Sequence, residues 1–286
     1  MPYILSRRNL LRLAAAPAAM ALAQDRSSSA KWALLSDVHI PADPSNAYRG
    51  FRPVENLKKT VPAVEAFKPD GMIICGDLAR LEGLPGDYEA LGALVRPVTE
   101  RTPVAMALGN HDDRKNFLAA FSTRPGEAQD VQGKWVSALD AGPVRIVLLD
   151  SLLYVNRVAG LLGKAQRQWL ETYLRSNQTP TVFFVHHTLD DTDGAMLDSQ
   201  RFFEIIRPAR QVKAVFYGHS HRYRYDEEDG LHLVNLPAVG YNFNDAEPVG
   251  WVEALFRKDG GDFTLRAIGG NTEQSGKTVS LRWRSS

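Results

Sequence analysis

The chain has 286 residues, of which 44% are hydrophobic, so it can form one large domain or two small ones with a substantial core. Its formal net charge of +1 argues against a nucleic-acid or membrane-surface footprint. The single cysteine, Cys75, excludes an intramolecular disulfide and a cysteine-rich zinc site.

The first predicted element is an export signal over residues 1–23. Arg7 and Arg8 follow a serine and precede a short apolar stretch that ends in an Ala-x-Ala pattern. A basic start, an apolar middle and small residues at the end make up an export signal, and the paired arginines resemble the twin-arginine type. The apolar stretch is too short to span a bilayer. The alternative is an amphipathic N-terminal helix of a cytosolic protein.

The signal defines the expected domain organisation. We expect cleavage after Ala23, a polar linker over residues 24–30, and one domain over residues 31–286. The twin-arginine export machinery would then be a partner during secretion. The mature chain would be periplasmic or secreted, without a membrane span.

Five short apolar segments in the body of the chain are each followed by residue types that bind metals. These predicted buried strands are 32–36, 72–75, 104–108, 181–185 and 214–217. Helical spacing is found at 53–67, 87–95, 117–121, 164–174 and 202–206. A hairpin is predicted at 135–149, and antiparallel strands at 231–236, 251–256, 263–268 and 278–283. Strand–helix alternation that gives way to hairpins predicts a single α/β domain with mixed sheets between helices.

Two pairs of candidate ligands are separated by one residue. Asp37 and His39 follow the first strand, and His219 and His221 follow the fifth. In an extended segment residues i and i+2 face the same way, so each pair can reach one ion. The alternatives are an N-cap aspartate beside a surface histidine, and a chance pair of surface histidines.

The other strand ends supply different donors. Asp77 follows the second strand, and its two carboxylate oxygens can bridge two ions. Asn110 offers an amide oxygen, while the adjacent His111 can donate a proton or hydrogen bond. Adjacent strand residues point to opposite sides, so we expect only one of His186 and His187 to bind metal.

The donor set indicates a catalytic metal centre. Mixed oxygen and nitrogen ligands without thiolate favour Mn, Fe or Zn over a structural zinc. A shared Asp77 would hold two divalent or trivalent ions roughly 3.5–4 Å apart. Such a pair lowers the pKa of a bridging water, binds phosphate oxygens and neutralises charge on the leaving oxygen.

These motifs, taken together, resemble the signature of the calcineurin-like metallophosphoesterase superfamily. They are Asp37-x-His39, Gly76-Asp77, Gly109-Asn110-His111-Asp112, His186-His187 and Gly218-His219-Ser220-His221. The resemblance extends over residues 32–221. It implies a four-layer α/β/β/α sandwich and hydrolysis of phosphoesters by a metal-bridging hydroxide.

The resemblance also implies roles for the site residues. Asp37, His39, Asp77 and His221 would bind one ion. Asp77, Asn110, His186 and His219 would bind the other. His111 would be the catalytic proton donor or transition-state stabiliser.

Within the superfamily the chain is most similar to the class III cyclic-nucleotide phosphodiesterase group. Residues 109–114, residues 148–151, Gln168-Trp169-Leu170 and the double histidine carry this similarity. The group usually has His-His-Pro-Pro where this chain has His186-His187-Thr188-Leu189.

Substrate contacts are a further expectation. Arg80 and Arg114 could bind a phosphate, since guanidinium matches phosphate oxygens, and His187 could line the pocket. Tyr48, His187 and residues 241–244 could line the pocket or serve packing, and both arginines could be solvated or paired with acids. The first functional hypothesis is hydrolysis of a small phosphodiester. The alternatives are a broad phosphomonoesterase for phosphate scavenging and a non-catalytic binding scaffold.

Overall fold

The computed structural model describes residues 28–285, so the predicted export signal lies outside the described residues. The described part contains thirteen strands and five helices. The first strand among the described residues begins at Ser29. No helix among residues 28–285 has the length and apolar character needed to cross a bilayer.

The strands and helices alternate in the first half of the chain, as predicted. The strands are β1 (Ser29–Leu35), β2 (Gly71–Cys75), β3 (Val104–Ala107), β4 (Glu127–Gln129), β5 (Val136–Ala141), β6 (Val144–Leu148), β7 (Thr181–Phe184), β8 (Val212–Tyr217), β9 (Arg224–Glu228), β10 (Leu231–Asn235), β11 (Pro248–Arg257), β12 (Gly260–Gly270) and β13 (Thr278–Arg282). The helices are α1 (Pro53–Phe67), α2 (Pro85–Thr99), α3 (Arg114–Ala120), α4 (Gly163–Ser176) and α5 (Ser199–Ile206).

The strands form two mixed sheets. One has the order β13-β12-β11-β1-β2-β3, and the other has the order β4-β5-β6-β7-β8-β10-β9. Strands β1, β2 and β3 are parallel, as are β6, β7, β8 and β10. The prediction of purely antiparallel late strands is therefore wrong for β10, which is parallel to β8 and antiparallel to β9.

Alternate residues of the central strands bury opposite faces of each sheet. In β1, Trp32 and Leu34 belong to the core between the two sheets, whereas Ala33 and Leu35 pack with helices α1, α2 and α3. Helices α4 and α5 cover the outer face of the second sheet through residues such as Leu170. The predicted four-layer α/β/β/α sandwich is confirmed.

The sequence patterns did not predict β4 and β9, the two short strands at the edges of the second sheet. β4 has only three residues, and β9 reads Arg-Tyr-Asp-Glu-Glu with mostly exposed side chains. Charged side chains are common on edge strands because they discourage pairing with other chains. Neither segment has the apolar alternation that identifies a strand in sequence.

The parallel topology brings the polar motifs together. The loops after β1, β2 and β3 leave one sheet, and those after β7 and β8 leave the other. Backbone hydrogen bonds join them in pairs, with Asp37 N donating to Gly76 O at 3.1 Å and Gly218 N donating to His186 O at 2.9 Å. Carboxyl ends of parallel strands are the usual location of sites in α/β proteins.

Candidate metal centre

The loops that carry the candidate ligands have an unusual backbone. Five of these residues have positive φ angles: Asp37 (50°), His39 (48°), Asp77 (47°), His219 (70°) and His221 (53°). The expectation that each i and i+2 pair lies in an extended segment is therefore wrong. The paired side chains converge because both residues of each pair have left-handed backbone, which is strained for non-glycine residues and is concentrated at functional sites.

Glycines allow the loops to approach one another closely. A Cβ atom on Gly76 would lie 2.4 Å from Nδ1 of His186. A Cβ atom on Gly109 would lie 2.2 Å from Oδ1 of Asp77, and one on Gly218 would lie 2.0 Å from Oγ of Ser36. Any other residue at these three positions would displace the candidate ligands.

The first group of candidate ligands consists of the buried residues Asp37, His39 and His221. The Nε2 atoms of His39 and His221 are 3.1 Å apart, and His221 Nε2 is 3.4 Å from Asp37 Oδ1. The carboxylate of Asp37 also accepts the backbone N–H of His219 at 3.1 Å. The three ligand atoms are close enough together to bind one ion.

The second group consists of Asp77, His186 and His219, with Asn110 beside it. His186 Nε2 lies 3.3 Å from Oδ1 of Asp77 and 3.3 Å from Oδ1 of Asn110. His186, Asp77 and Asn110 are buried, and His219 is partly exposed. The structure therefore brings together all seven predicted metal ligands.

Asp77 lies between the two groups. Its Oδ1 atom is 3.3 Å from His186, and its Oδ2 atom is 3.6 Å from His39. The backbone N–H of His111 donates to Oδ1 at 3.0 Å and helps to fix the carboxylate. One carboxylate thus presents a separate oxygen to each group.

The outer nitrogens of three histidines show that the residues fit a metal ion. Nδ1 of His186 is 2.9 Å from Cys75 O, and Nδ1 of His221 is 2.5 Å from Tyr241 O. Nδ1 of His39 is 3.4 Å from Arg80 O. A carbonyl oxygen only accepts hydrogen bonds, so each Nδ1 carries a proton and each Nε2 atom faces the cluster. This arrangement is the usual support for a metal-binding histidine.

The electrostatics of the cluster suit a cation. Burial lowers the pKa of His39 to about 3, and burial together with His186 lowers the pKa of His219 to about 4, so both rings are neutral. Burial acts to lower the pKa of His186, but the Asp77 and Asp37 carboxylates raise it to about 9. A bound ion must displace that proton, because a metal-binding imidazole is neutral.

His111 differs from the other site histidines. It is partly exposed, and its ring centroid is 5.4 Å from that of His39. Its Nδ1 atom lies 2.9 Å from Leu81 O and 3.0 Å from Oδ1 of Asn156. The ring is thus fixed at the edge of the cluster.

The cluster forms the floor of a cleft of about 530 Å³. Val158, in the loop between β6 and α4, and Phe243, in the loop between β10 and β11, contribute apolar walls. The Phe243 ring is half exposed and stacks on His221 with centroids 4.2 Å apart. A larger groove between α4 and α5 contains none of the candidate ligands.

The predicted substrate residues have other partners. Arg80 Nε donates to Oδ1 of Asn46 at 3.1 Å, and its guanidinium lies over the rings of Tyr48 and Tyr241. Arg114 forms two hydrogen bonds of 2.9 Å with Asp150, which is fully buried, so Arg114 is paired as the alternative interpretation proposed.

His187 is also fully buried, and its Nδ1 atom is 2.7 Å from Oγ of Ser151. The residues that line the cleft do not include Arg80, Arg114 or His187.

Sequence reasoning missed Arg222 and Asn156. Arg222 lines the cleft and directly follows His221, so its position beside a predicted ligand was an available signal. Asn156 contacts His111 from a loop that has no motif, and nothing in its sequence surroundings indicates this role.

Residues 30–223 match the family model described as Calcineurin-like phosphoesterase. The chain belongs to this family. Membership establishes a metal-dependent phosphoric ester hydrolase and confirms the resemblance of the five motifs.

Relatives of this calcineurin-like phosphoesterase include a probable cyclic nucleotide phosphodiesterase from Synechococcus sp., 28% identical over 239 residues, which are 80% of this chain and 88% of that protein. A glycerophosphodiester phosphodiesterase from Enterobacter lignolyticus is 27% identical and matches 63% of this chain and 68% of its own length. A dimetal phosphatase from Danio rerio shares the fold with a TM-score of 0.65 at 16% identity, covering 89% of this chain and 99% of that one.

Proposed function

We propose that this chain is a dinuclear metal-dependent phosphodiesterase. The observation that carries the proposal is the position of Asp77, whose two oxygens face two separate groups of candidate ligands. Asp37, His39, Asp77 and His221 would bind one ion. Asp77, Asn110, His186 and His219 would bind the second.

Two bound ions would supply an activated water for attack on phosphorus and positive charge for the phosphate oxygens. The side chains of the protein supply the negative charge that holds the ions and the proton for the leaving group. Buried Asp37 and Asp77 keep their negative charge, because nearby histidines lower the pKa of both carboxyls against the effect of burial. His111 would give its Nε2 proton to the leaving oxygen as the bond from phosphorus to that oxygen breaks.

The walls of the cleft support a diester rather than a monoester. A phosphodiester carries two organic groups and one negative charge, whereas a monoester near neutral pH carries a second charge. Val158 and Phe243 offer apolar surface to a second organic group, and the carboxylate of Asp190 in the cleft opposes a second charge. Arg222 also lines the cleft and would contact the substrate phosphate. Relatives named as phosphodiesterases agree with this preference.

The test is hydrolysis of bis(p-nitrophenyl) phosphate and p-nitrophenyl phosphate by protein loaded with Mn, Fe or Zn, with metal content measured in parallel. We expect two ions per chain and a higher kcat/KM on the diester. Asp77→Asn is the informative control, since it should reduce metal content and activity together. A higher kcat/KM on the monoester would instead favour a broad phosphomonoesterase. Metal-loaded protein without turnover would favour a binding scaffold.

We also propose that residues 1–23 direct twin-arginine export to the periplasm. The proposal rests on Arg7 and Arg8 and on the apolar stretch that follows them. A reporter fused to residues 1–30 should be exported, and the double variant Arg7→Lys and Arg8→Lys should keep it in the cytoplasm. Unchanged export of the double variant would contradict the twin-arginine route.

A further inference from the structure

Asn156 makes two contacts with the neighbouring candidate residues Asn110 and His111. It lies in the loop between β6 and α4, whereas Asn110 and His111 lie in the loop between β3 and α3. The backbone N–H of Asn156 donates to Asn110 O at 2.7 Å. Its side-chain Oδ1 is 3.0 Å from Nδ1 of His111. One residue thus joins two loops at the edge of the cluster.

The backbone of Asn156 has a φ angle of 60°. Asparagine adopts this left-handed conformation more readily than most residues, but glycine adopts it with less strain. A glycine at position 156 could therefore form the same backbone hydrogen bond to Asn110. It could not form the hydrogen bond that the Asn156 side chain makes with His111.

The hydrogen bonds of His111 assign a proton to its Nδ1 atom. Leu81 O is a carbonyl oxygen and only accepts, so the Nδ1 atom of His111 must carry a proton to bond with it at 2.9 Å. Oδ1 of Asn156 is a second acceptor for the same N–H. With Nδ1 committed to these two oxygens, Nε2 is the nitrogen of His111 that remains for a substrate.

We propose that Asn156 is a positioning residue for His111. It fixes the ring orientation and keeps the proton of Nδ1 engaged, so that Nε2 faces the leaving group. The inference rests on the proposed function, in which water oxygen bonds to phosphorus and the bond from phosphorus to the leaving oxygen breaks. The electron pair of that bond goes to the leaving oxygen, which takes the Nε2 proton of His111 in its doubly protonated, imidazolium form. The attacking water gives up one proton to solvent, and Nε2 of His111 regains a proton from solvent before the next turnover. Throughout this step Nδ1 keeps its proton and donates to Asn156.

The inference predicts a dependence on the leaving group. Nitrophenolate is a stable anion and needs little help from an acid, whereas phenolate is a poorer leaving group and needs more. Loss of a positioned acid should therefore slow diphenyl phosphate more than bis(p-nitrophenyl) phosphate. A defect in metal binding or folding would slow the two diesters alike.

The experiment compares Asn156→Gly, Asn156→Asp and His111→Ala on both diesters. Asn156→Gly keeps the left-handed backbone and its bond to Asn110 but removes Oδ1, and Asn156→Asp keeps an acceptor. We expect Asn156→Gly to lower kcat on diphenyl phosphate about tenfold and on the nitrophenyl diester less than about threefold, with metal content unchanged. Asn156→Asp should retain most of the activity. The matched control is Asp229→Gly, a left-handed residue in the β9–β10 turn, which should change neither rate.

Each result separates the two proposals. In the His111→Ala background, Asn156→Gly should cause no further loss, because its effect passes through His111. An equal loss on both diesters, a fall in metal content, or an additive double variant would overturn the positioning role while the proposed function stands. If His111→Ala shows no leaving-group dependence, the acid role of His111 and the inference fail while hydrolysis of the diesters stands. If the wild type hydrolyses neither diester, the proposed function fails and the inference fails with it.

Discussion

Asn110 and His111 are adjacent in the chain but have different surroundings. Asn110 is buried, with Oδ1 3.3 Å from His186, whereas His111 is partly exposed and bonded through Nδ1. We therefore expect Asn110→Ala to lower the occupancy of one ion. His111→Ala should keep both ions and lower kcat by about 100-fold or more. Metal analysis and steady-state kinetics on the same samples measure both effects, and loss of metal in His111→Ala would contradict this division.

The close approach of Gly109 to Asp77 can be tested by adding a side chain at position 109. An added Cβ atom would lie 2.2 Å from Oδ1 and 2.4 Å from the backbone N of Asp77. Gly109→Ala should therefore displace Asp77 and lower metal content and activity together. Gly92→Ala in α2 is the control, since its Cβ atom would lie 3.7 Å from Phe121 and alanine favours a helix. Normal metal content in Gly109→Ala would show that the loop can move without cost.

The candidate ligands could be predicted from sequence because each follows a short apolar strand. The reason for their convergence could not, since the left-handed backbone at Asp37 and Asp77 depends on contacts with other loops. Arg114 matched phosphate chemistry, but its pairing with Asp150 joins segments 36 residues apart. Asn156 likewise acquires its role only when two distant loops meet. Chemistry at strand ends is visible in sequence, whereas partners across loops are not.

At the scale of elements, Asp112 connects the loop between β3 and α3 to the loop after β2 by hydrogen bonds. The Asp112 carboxylate accepts the backbone N–H groups of Gly109, Leu78 and Ala79, together with the hydroxyl of Tyr88 on α2. These bonds satisfy a fully buried carboxylate and hold the two loops in one arrangement. The aspartate of the Gly-Asn-His-Asp motif is thus a support for the loops that carry Asp77 and Asn110.

Arg114 holds the start of α3 against the end of β6. Its guanidinium donates to both oxygens of Asp150 and to Leu152 O at 3.0 Å. Arg114→Ala would leave a buried carboxylate with Lys134, 3.8 Å away, as its remaining cation. We expect a loss of about 3 kcal/mol in the free energy of unfolding, measured by urea denaturation.

The same variant distinguishes the two interpretations of Arg114. If the arginine supports the fold alone, Arg114→Ala should keep a normal KM at a temperature where the protein is folded. Arg222→Ala is the comparison, since Arg222 lines the cleft and should raise KM without loss of stability. A raised KM in Arg114→Ala with unchanged stability would support the prediction that Arg114 binds the substrate phosphate.

At the scale of the whole molecule, the site depends on the packing of both sheets. The loops after β1, β2 and β3 come from one sheet, and the loops after β7 and β8 come from the other. A ligand that binds only the folded state stabilises it, by about 2.7 kcal/mol at 100 times its dissociation constant. We expect saturating Mn to raise Tm by about 5–10 °C, and a chelator to reverse the change.

Asp77→Asn is again the control for this measurement. Because its side chain would bind each ion less well, the same Mn concentration should raise its Tm by less. An equal shift in wild type and Asp77→Asn would mean that Mn binds elsewhere on the protein.

The sheet order also has a consequence for synthesis on the ribosome. β1 is the first strand made, but it lies between β2 and β11 and pairs with residues 252–257 of β11. One edge of β1 therefore stays open until nearly the whole chain has emerged. Early in translation the nascent protein can form neither the complete first sheet nor a complete set of ligands. A ribosome stalled before residue 248 would hold a chain in which one edge of the apolar strand β1 is unpaired, and chaperones bind such exposed edges.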